Sequence, residues 1–373
     1  MQKSRLKRVV KSGLLAASSA VVLAGIAAGS AGAAIPKGAS PKIEKPAAGT
    51  VAETGSTLLY PLFNLWSSGY STTYPSVTIQ TAGTGSGVGI TDATNGTADI
   101  GASDAYLAPA NLTAAPTLLN IPLAVSAQLV TYNIPGVTAH LKLTGKLLSN
   151  IFQGKVTNWN DASIAAINPG VTLPNLPIVT LHRSDSSGDT FLFTSFLSDA
   201  DPSGWGKTVA FNTTVPWPNA PGALGEMGNS GMVAGCKATP GCVAYVGISY
   251  LTQALQSGLG YAQLQNGAKQ FELPTPAAIN AEAAAYTKKT PSNGSISLID
   301  GKVKGGYPII NYEYAIVNAK QTSASKATAI RSVLEWAVNA QDGNNASYLS
   351  QVNFQALPAG VISASLKQIH KIK

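Results

Sequence analysis

The stretch TAGTGSGVGITDATNGTADIGASDAYL, Thr81 to Leu107, decides the fold. A strand pattern leads into its glycine-rich turn, after which apolar residues recur at helical spacing. Ser86 therefore lies where a helix N-terminus presents backbone N–H groups, which favour an anion. A second short strand, residues 98–101, is followed by Asp104, at the strand end where open α/β sheets place ligands. The pattern predicts an α/β protein with hydrogen-bond donors and a carboxylate facing one cleft.

The glycine-rich turn alone has other interpretations. Its spacing is not the GxGxxG of dinucleotide-binding proteins, and no Lys follows to make a P-loop. A tight strand-to-helix connection without a ligand remains an alternative.

Two further stretches repeat the same arrangement. In VAETGSTLLYPLFNLW, Thr57 precedes a helical pattern, and in LPIVTLHRSDSSGDTFLF, Ser187 opens another helix close after a buried strand. Arg183 ends that strand, where a guanidinium beside backbone N–H groups suits an oxyanion, and Asp185 is placed to pair with it. Capped helices without a ligand and a surface salt bridge are the alternatives.

Composition sets the size and class of the protein. The 373 residues are 45% hydrophobic and 11% charged, which is enough for two cores of ordinary domain size. The formal net charge is +8, but five basic residues lie in residues 1–11. The rest of the chain is too weakly basic to indicate a nucleic-acid partner.

The N-terminal sequence is typical of an export signal. Basic residues precede an apolar run, and small residues at 31–33 suit cleavage, so residues 1–33 are predicted to be a signal peptide. An uncleaved membrane anchor is the alternative. Residues 34–50 are rich in Pro, Ala, Gly and Lys and are predicted to be a flexible tether. The expected location is exported and extracytoplasmic.

Cys236 and Cys242 are predicted to form a small disulfide loop, because an exported protein meets oxidising conditions. The three histidines are isolated in sequence, so no metal site is expected. Because the loop is short, the disulfide should contribute a few kcal/mol of stability at most.

Several strings join the three stretches into one pattern: LTGKLLSNIFQGKVTNWND, VPWPNAPGALGEMGNSGM, GCVAYVGISYL and GYPIINYEYAIV. From about Val51 to the C-terminus, the chain resembles the phosphate-binding proteins of bacterial phosphate ABC transporters, and mycobacterial and other actinobacterial members above all. The resemblance implies a two-lobed periplasmic-binding-protein-like α/β fold of type II, with a mixed sheet flanked by helices in each lobe and a hinge of crossing strands. Lobe I would comprise residues 51–133 and 307–373, and lobe II residues 134–306.

The resemblance also implies a function. The chain would be a monomeric binding protein, not an enzyme and without a cofactor, which captures inorganic phosphate and delivers it to a permease and ATPase complex. The phosphate contacts carried over are Thr57, Leu58 (through its backbone), Ser86, Asp104, Arg183, Ser187, Gly188 and Asp189, with Asp185 supporting Arg183. An ionised Asp104 can only accept a hydrogen bond, which phosphate can donate and sulfate at neutral pH cannot. Arsenate is not excluded by this reasoning.

Three positions depart from the pattern of many relatives. Leu58 stands where they carry Phe, which should leave a backbone contact intact. Asp189 stands where they carry Thr; it either accepts a second proton of monobasic phosphate or turns outward to cap its helix. Ile26 stands where lipoprotein relatives carry the lipid-attachment cysteine, so the protein is not expected to be a lipoprotein.

Two further features of the sequence lie outside the binding site that the resemblance implies. Residues 121–133 and 306–318 are predicted to be strands that cross between the lobes. The string GNSG faintly resembles the surroundings of a serine nucleophile, so a secreted hydrolase using Ser230 or Ser86 is an alternative function. No His and Asp order builds a triad around it, and the spacing favours Asn229 as a helix cap.

Overall fold

The structure is a computed structural model that describes residues 42–373. The predicted signal peptide, Ile26 and the first part of the predicted tether lie outside the described residues. The strands are β1 (Gly49–Gly55), β2 (Val77–Gln80), β3 (Ile100–Ser103), β4 (Leu118–Tyr132), β5 (Lys142–Leu143), β6 (Val179–Arg183), β7 (Leu224–Glu226), β8 (Cys242–Gly247), β9 (Gly260–Tyr261), β10 (Gln263–Gln265), β11 (Phe271–Glu272) and β12 (Ile310–Asn318). The helices are α1 (Tyr60–Thr73), α2 (Ser86–Asn95), α3 (Pro109–Ala114), α4 (Gly145–Phe152), α5 (Ala162–Ala165), α6 (Gly188–Ala200), α7 (Trp205–Thr208), α8 (Gly228–Ala238), α9 (Leu251–Gln256), α10 (Pro276–Tyr286), α11 (Ala324–Val338), α12 (Ala346–Leu349) and α13 (Ala359–Ile369).

A mixed sheet with strand order β2-β1-β3-β12-β4-β8-β6-β7 organises the described chain, with β9 beside β4. β1, β2 and β3 are parallel, as are β6, β7 and β8, whereas β4 and β12 run antiparallel to their neighbours. We call β2, β1, β3, β12 and residues 118–127 of β4 the first half-sheet. The second half-sheet comprises residues 128–132 of β4 with β8, β6 and β7. A separate small sheet has the order β11-β10-β5.

Strand β4 joins the two half-sheets. Its residues up to Ala127 pair with β12, and from Gln128 onward they pair with β8. All of its residues are buried, as expected of a strand covered on both faces, and these include the polar residues Asn120, Ser126, Gln128 and Thr131. A strand is confirmed at the predicted place, with the bounds Leu118–Tyr132 instead of 121–133, whereas its crossing between two lobes stays a prediction.

Two predicted strands have different bounds. The second crossing strand begins only at Ile310, four residues later than predicted, and its partners β3 and β4 belong to the first half-sheet. Strand β3 begins at Ile100 rather than residue 98. Just before the paired residues, the Asp99 carboxylate accepts the Ala52 backbone N–H at 2.8 Å.

Helices cover the sheet with apolar faces. Helix α1 has Pro61 in its first turn, a position that proline favours, and buries Leu62, Phe63, Trp66 and Tyr70. The Cys236–Cys242 disulfide joins the end of α8 to the start of β8, as predicted. Within residues 42–373, no helix is both long and apolar enough to cross a membrane.

The described end of the predicted tether differs from a flexible linker. Strand β1 already begins at Gly49, and Glu44 forms an ion pair with Arg331 on α11, Nε to Oε2, at 2.6 Å. The Glu44 backbone N–H also donates to Glu335 at 2.7 Å. These contacts attach the segment to the fold from about Ile43 onward, where the side chain packs against the core.

Candidate anion-binding site

Asp104 lies at the carboxyl end of β3, where the first half-sheet meets the start of α2. Its side chain is 1% exposed. The Ser86 hydroxyl lies 3.3 Å from Asp104 Oδ2 and accepts the Asp104 backbone N–H at 3.2 Å. Ser56 donates to Asp104 Oδ1 and accepts the Leu59 N–H at 2.9 Å, which caps the turn before α1. The carboxylate is thus held by hydroxyl groups from two helix starts.

Arg183 ends β6 in the second half-sheet and is held by two carboxylates. Its Nε donates to Asp185 Oδ1 at 2.6 Å, its Nη2 contacts the other Asp185 oxygen, and its Nη1 donates to Asp189 Oδ2 at 2.8 Å. The exposed fractions of the Arg183 and Asp185 side chains are 1% and 12%. The predicted pair forms, and the alternative of a surface salt bridge is wrong.

Two helix starts offer backbone donors. Ser187 caps α6, accepting the Thr190 N–H at 3.4 Å. Neither the N–H groups of Gly188 and Asp189 at the start of α6 nor those of Thr57 and Leu58 before α1 donate to an acceptor among the described residues. Such N–H groups and the helix dipole together favour an anion.

The two half-sheets meet around these groups. The Gly87 N–H at the start of α2 donates to the Ser186 carbonyl at 3.0 Å. Gly188 lies so close to Asp104 and Ser86 that a Cβ on it would stand 2.5 Å from Ser86 Oγ. The start of α6 therefore packs directly against the end of β3.

Asn229 joins the two sides of the site. Its Nδ2 donates to Thr57 Oγ1 at 2.9 Å and to Asp189 Oδ2 at 2.7 Å, while its Oδ1 accepts the Gly247 N–H at 2.7 Å. The prediction that Asn229 caps a helix is wrong. Met227 occupies the cap position of α8, and Asn229 lies in the first turn with its side chain directed to the site.

Burial and neighbouring charges set the protonation of the acidic groups. Burial raises the pKa of Asp104 to about 7; the charge of Asp189 acts in the same direction, and hydrogen bonds and Arg183 oppose it. Burial also raises the pKa of Asp189, against the attraction of Arg183. Burial acts likewise on Asp185, but hydrogen bonds with Arg183 hold the pKa of Asp185 below its usual value.

Arg183 remains protonated in this setting. Burial disfavours its charged form, yet the hydrogen bonds and charges of Asp185 and Asp189 raise its pKa above the ordinary value. Asp189 is 1% exposed and ion-paired, so the alternative in which it turns outward to cap α6 is wrong.

The structure brings the predicted contact residues to one place. Thr57 and Asp189 share Asn229, Asp189 pairs with Arg183, and Gly188 lies against Asp104. The remaining members, Leu58, Ser86 and Ser187, adjoin these in sequence or contact them. The Leu58 side chain packs towards Gly247 in the second half-sheet, which leaves its backbone N–H for a ligand.

Sequence reasoning missed two groups at the site. The GNSG string predicts a helix cap at Asn229, not a side chain directed to the site. Glu313, a buried carboxyl in β12, contacts Asp104 and carries no motif that marks it as part of a site. Among residues 42–373, no group of three or more potential metal-binding side chains lies together.

Residues 40–341 match the PBP superfamily domain, so fold and site define a binding protein of that superfamily. Within it, the chain is 33% identical over 349 residues to "Phosphate-binding protein PstS" of Methanocaldococcus jannaschii, with 88% of each chain covered. It is 31% identical over 317 residues to "Phosphate-binding protein PstS 2" of Mycobacterium tuberculosis, covering 79% of this chain and 81% of the relative. The chain therefore belongs to the family of PstS phosphate-binding proteins.

A solved structure supports the fold independently. A phosphate-binding protein from Stenotrophomonas maltophilia superposes with a TM-score of 0.65 at 18% sequence identity, and the match covers 86% of this chain and 94% of that one.

Proposed function

We propose that this chain captures inorganic phosphate between its two half-sheets and delivers it to the permease and ATPase complex of an ABC transporter. The observation that carries the proposal is a buried acceptor, Asp104, close to the Ser86 hydroxyl and to the start of α6 with its backbone N–H groups. The ligand contacts would be the backbone N–H groups of Thr57, Leu58, Gly188 and Asp189, together with side chains of Thr57, Ser86, Asp104, Arg183, Ser187 and Asp189. Family membership supports the same ligand class.

Selectivity would come from the carboxylate. An ionised Asp104 can accept the hydrogen that phosphate retains, whereas sulfate carries none and would face an unpaired negative charge. Because burial raises the pKa of Asp104 to about 7, Asp104 becomes protonated as the pH falls below that value. A protonated Asp104 could donate to sulfate, so the exclusion of sulfate should weaken in acid.

Capture would be coupled to closure. We assign residues 51–133 and 307–373 to lobe I and residues 134–306 to lobe II, with β4 as part of the hinge. An anion that touches both lobes favours the closed arrangement by its differential affinity for it. The permease could then distinguish loaded from empty protein. We expect the protein to act as an extracytoplasmic monomer.

Two alternatives are weaker. Arsenate, protonated like phosphate, fits the same chemistry and would compete for the site. A serine hydrolase with a histidine base is not supported, because His140, His182 and His370 contact Tyr261, Trp217 and Glu335 among the described residues.

Calorimetric titration with phosphate and with sulfate tests the proposal, using ligand-stripped protein at about pH 8, above the pKa of Asp104. We expect phosphate to bind and sulfate to give no heat. In Asp104→Asn, the affinity for phosphate should fall by about tenfold or more, because one charge-assisted hydrogen bond is lost. The preference for phosphate over sulfate should shrink as well. Equal binding of both anions by the unaltered protein would contradict the proposal.

A further inference from the structure

Glu313 is a fully buried carboxyl in the first half-sheet that the proposed ligand contacts do not include. It lies in β12 with 0% exposure. The pairing of β12 with β4 shifts register between Glu313 and Tyr314, as in a β-bulge. Bulges re-aim side chains and are over-represented beside functional sites.

The Glu313 carboxyl has donors on one oxygen only. Its Oε1 accepts from the Ser126 hydroxyl at 2.5 Å and from Asn311 Nδ2 at 3.0 Å. Its buried Oε2 receives no N–H or O–H donor among the described residues. The carboxyl lies in hydrogen-bonding contact with that of Asp104, and Asn311 also donates to the Asp104 carbonyl at 3.3 Å.

Two carboxyl groups in contact cannot both be ionised without strong repulsion, so one proton belongs between them. Asp104 is the member better suited to the charge, because it receives the hydroxyls of Ser56 and Ser86 and is attracted by Arg183. The donors to Glu313, by contrast, are the neutral Ser126 and Asn311. Burial, then the charge of Asp104, raise the pKa of Glu313 well above its ordinary value.

Among residues 42–373, the hydrogen-bond donors to Glu313 are the neutral Ser126 and Asn311, and no cation is bonded to it. The charged or titratable groups that act on the pair are Asp189 and Arg183, across the site on Asp104, and Tyr314, the neighbour of Glu313 in β12. From β4 the side chain that faces Glu313 is the neutral Ser126.

We propose that Glu313 is a positioning residue for phosphate recognition, which keeps a proton, donates it to Asp104 and thereby holds Asp104 ionised and aimed at the ligand. This inference rests on the proposed function, because Asp104 is the group that would accept the phosphate hydrogen. Loss of the Glu313 proton would add a further negative charge next to Asp104, close to the bound anion. Phosphate affinity must then fall as the pH rises through the pKa of Glu313.

The test is calorimetric titration of phosphate into the protein and into Glu313→Gln, from about pH 6 to about pH 9.5. A glutamine amide donates to Asp104 and accepts from Ser126, but it does not titrate. The ionisation of phosphate itself affects both dissociation constants equally, so it cancels in their ratio. We expect the two proteins to agree within about threefold at the acid end and the unaltered protein to bind about tenfold more weakly at the alkaline end.

Controls separate this role from a structural one. Glu282→Gln alters another buried glutamate, on α10, whose pKa burial raises to about 7. The ratio of the phosphate dissociation constants of this variant and the unaltered protein should not change with pH. Ser126→Ala removes a hydrogen bond that stabilises the ionised form of Glu313, so the alkaline loss of affinity should move to higher pH. This variant keeps the inference testable if Glu313→Gln does not fold.

A ratio for Glu313→Gln that is the same at every pH would overturn the inference while leaving phosphate binding intact. An alkaline loss that does not move in Ser126→Ala would also count against it. Failure of the unaltered protein to bind phosphate at any pH would overturn the proposed function, and this inference with it.

Discussion

At the scale of single residues, the charges of the site are mainly negative. The carboxyl groups of Asp185 and Asp189 pair with the guanidinium of Arg183, and Asp104 adds a third carboxyl group to the site. An anion would therefore be held chiefly by oriented N–H and O–H dipoles, with Arg183 as part of a neutralised cluster. Such an arrangement selects for the hydrogen-bonding pattern of the ligand more than for its charge.

Asp189 provides a test of this selection. If it accepts a second phosphate hydrogen, the unaltered protein favours the monobasic form and loses affinity as the pH rises through the second ionisation of phosphate. Asp189→Thr replaces the carboxylate by a hydroxyl that can donate, so the loss should be smaller. Calorimetry across that pH range measures it, and an identical pH profile in the two proteins would remove the idea of a second acceptor.

Asn229 provides a second test, because it joins Thr57 to Asp189. Asn229→Ala removes these bonds and leaves the buried Gly247 N–H without its acceptor. We expect phosphate to bind about tenfold more weakly. Ser230→Ala, at the exposed next position of α8, is the matched control and should bind normally. Equal affinity of both variants would show that Asn229 takes no part in recognition.

The misassignment of Asn229 shows what local sequence cannot supply. Its partners Thr57 and Asp189 are 172 and 40 residues away in the chain. The GNSG string specifies a helix start, which the structure contains, but the direction of the side chain follows from the packing of α8 against β8 and β6. For the same reason, the local sequence does not indicate that Glu313 belongs to the site, since its contact with Asp104 depends on the pairing of β12 with β3.

At the scale of elements, the site depends on the close approach of the C-terminal end of β3 and the N-terminal end of α6. Glycine at position 188 permits this approach because an added Cβ would lie against Asp104 and Ser86. The local repeats of strand, Ser or Thr, and helix are readable in the sequence, because capping preferences act over a few residues. The distance in space between two such repeats depends on tertiary packing and therefore cannot be read from the sequence.

Gly188→Ala tests the closeness of this approach. The added methyl group should keep the half-sheets apart and lower phosphate affinity by about tenfold or more, with little change in thermal stability. Gly49→Ala is the control, because no atom lies within 4 Å of a Cβ built there. Titration calorimetry and a melting curve check both variants; unchanged affinity in Gly188→Ala would mean that the two ends do not meet on the ligand.

At the scale of the whole molecule, several buried carboxyl groups make stability depend on pH. Burial raises the pKa of Glu53 to about 8 and that of Glu282 to about 7. The unfolded chain ionises at the ordinary, lower pKa, so it releases protons first as the pH rises. This contribution to stability is therefore complete below about pH 4.5 and is lost progressively up to about pH 8.

We expect the melting temperature of the ligand-free protein to fall from about pH 5 to about pH 8. Glu53→Gln should flatten this dependence by at least about 1 kcal/mol of unfolding free energy, because the amide does not ionise. Thermal melts at several pH values measure it. A melting temperature that rises over this interval would contradict the assignment of neutral buried carboxyls.

The most direct test of the whole account is a crystal structure of the protein grown with phosphate. We expect one phosphate between the half-sheets, accepting from the N–H groups of Thr57, Leu58 and Gly188 and from Arg183, with one oxygen in hydrogen-bonding distance of Asp104. Phosphate bound elsewhere, or a closed protein with no anion beside Asp104, would contradict the account.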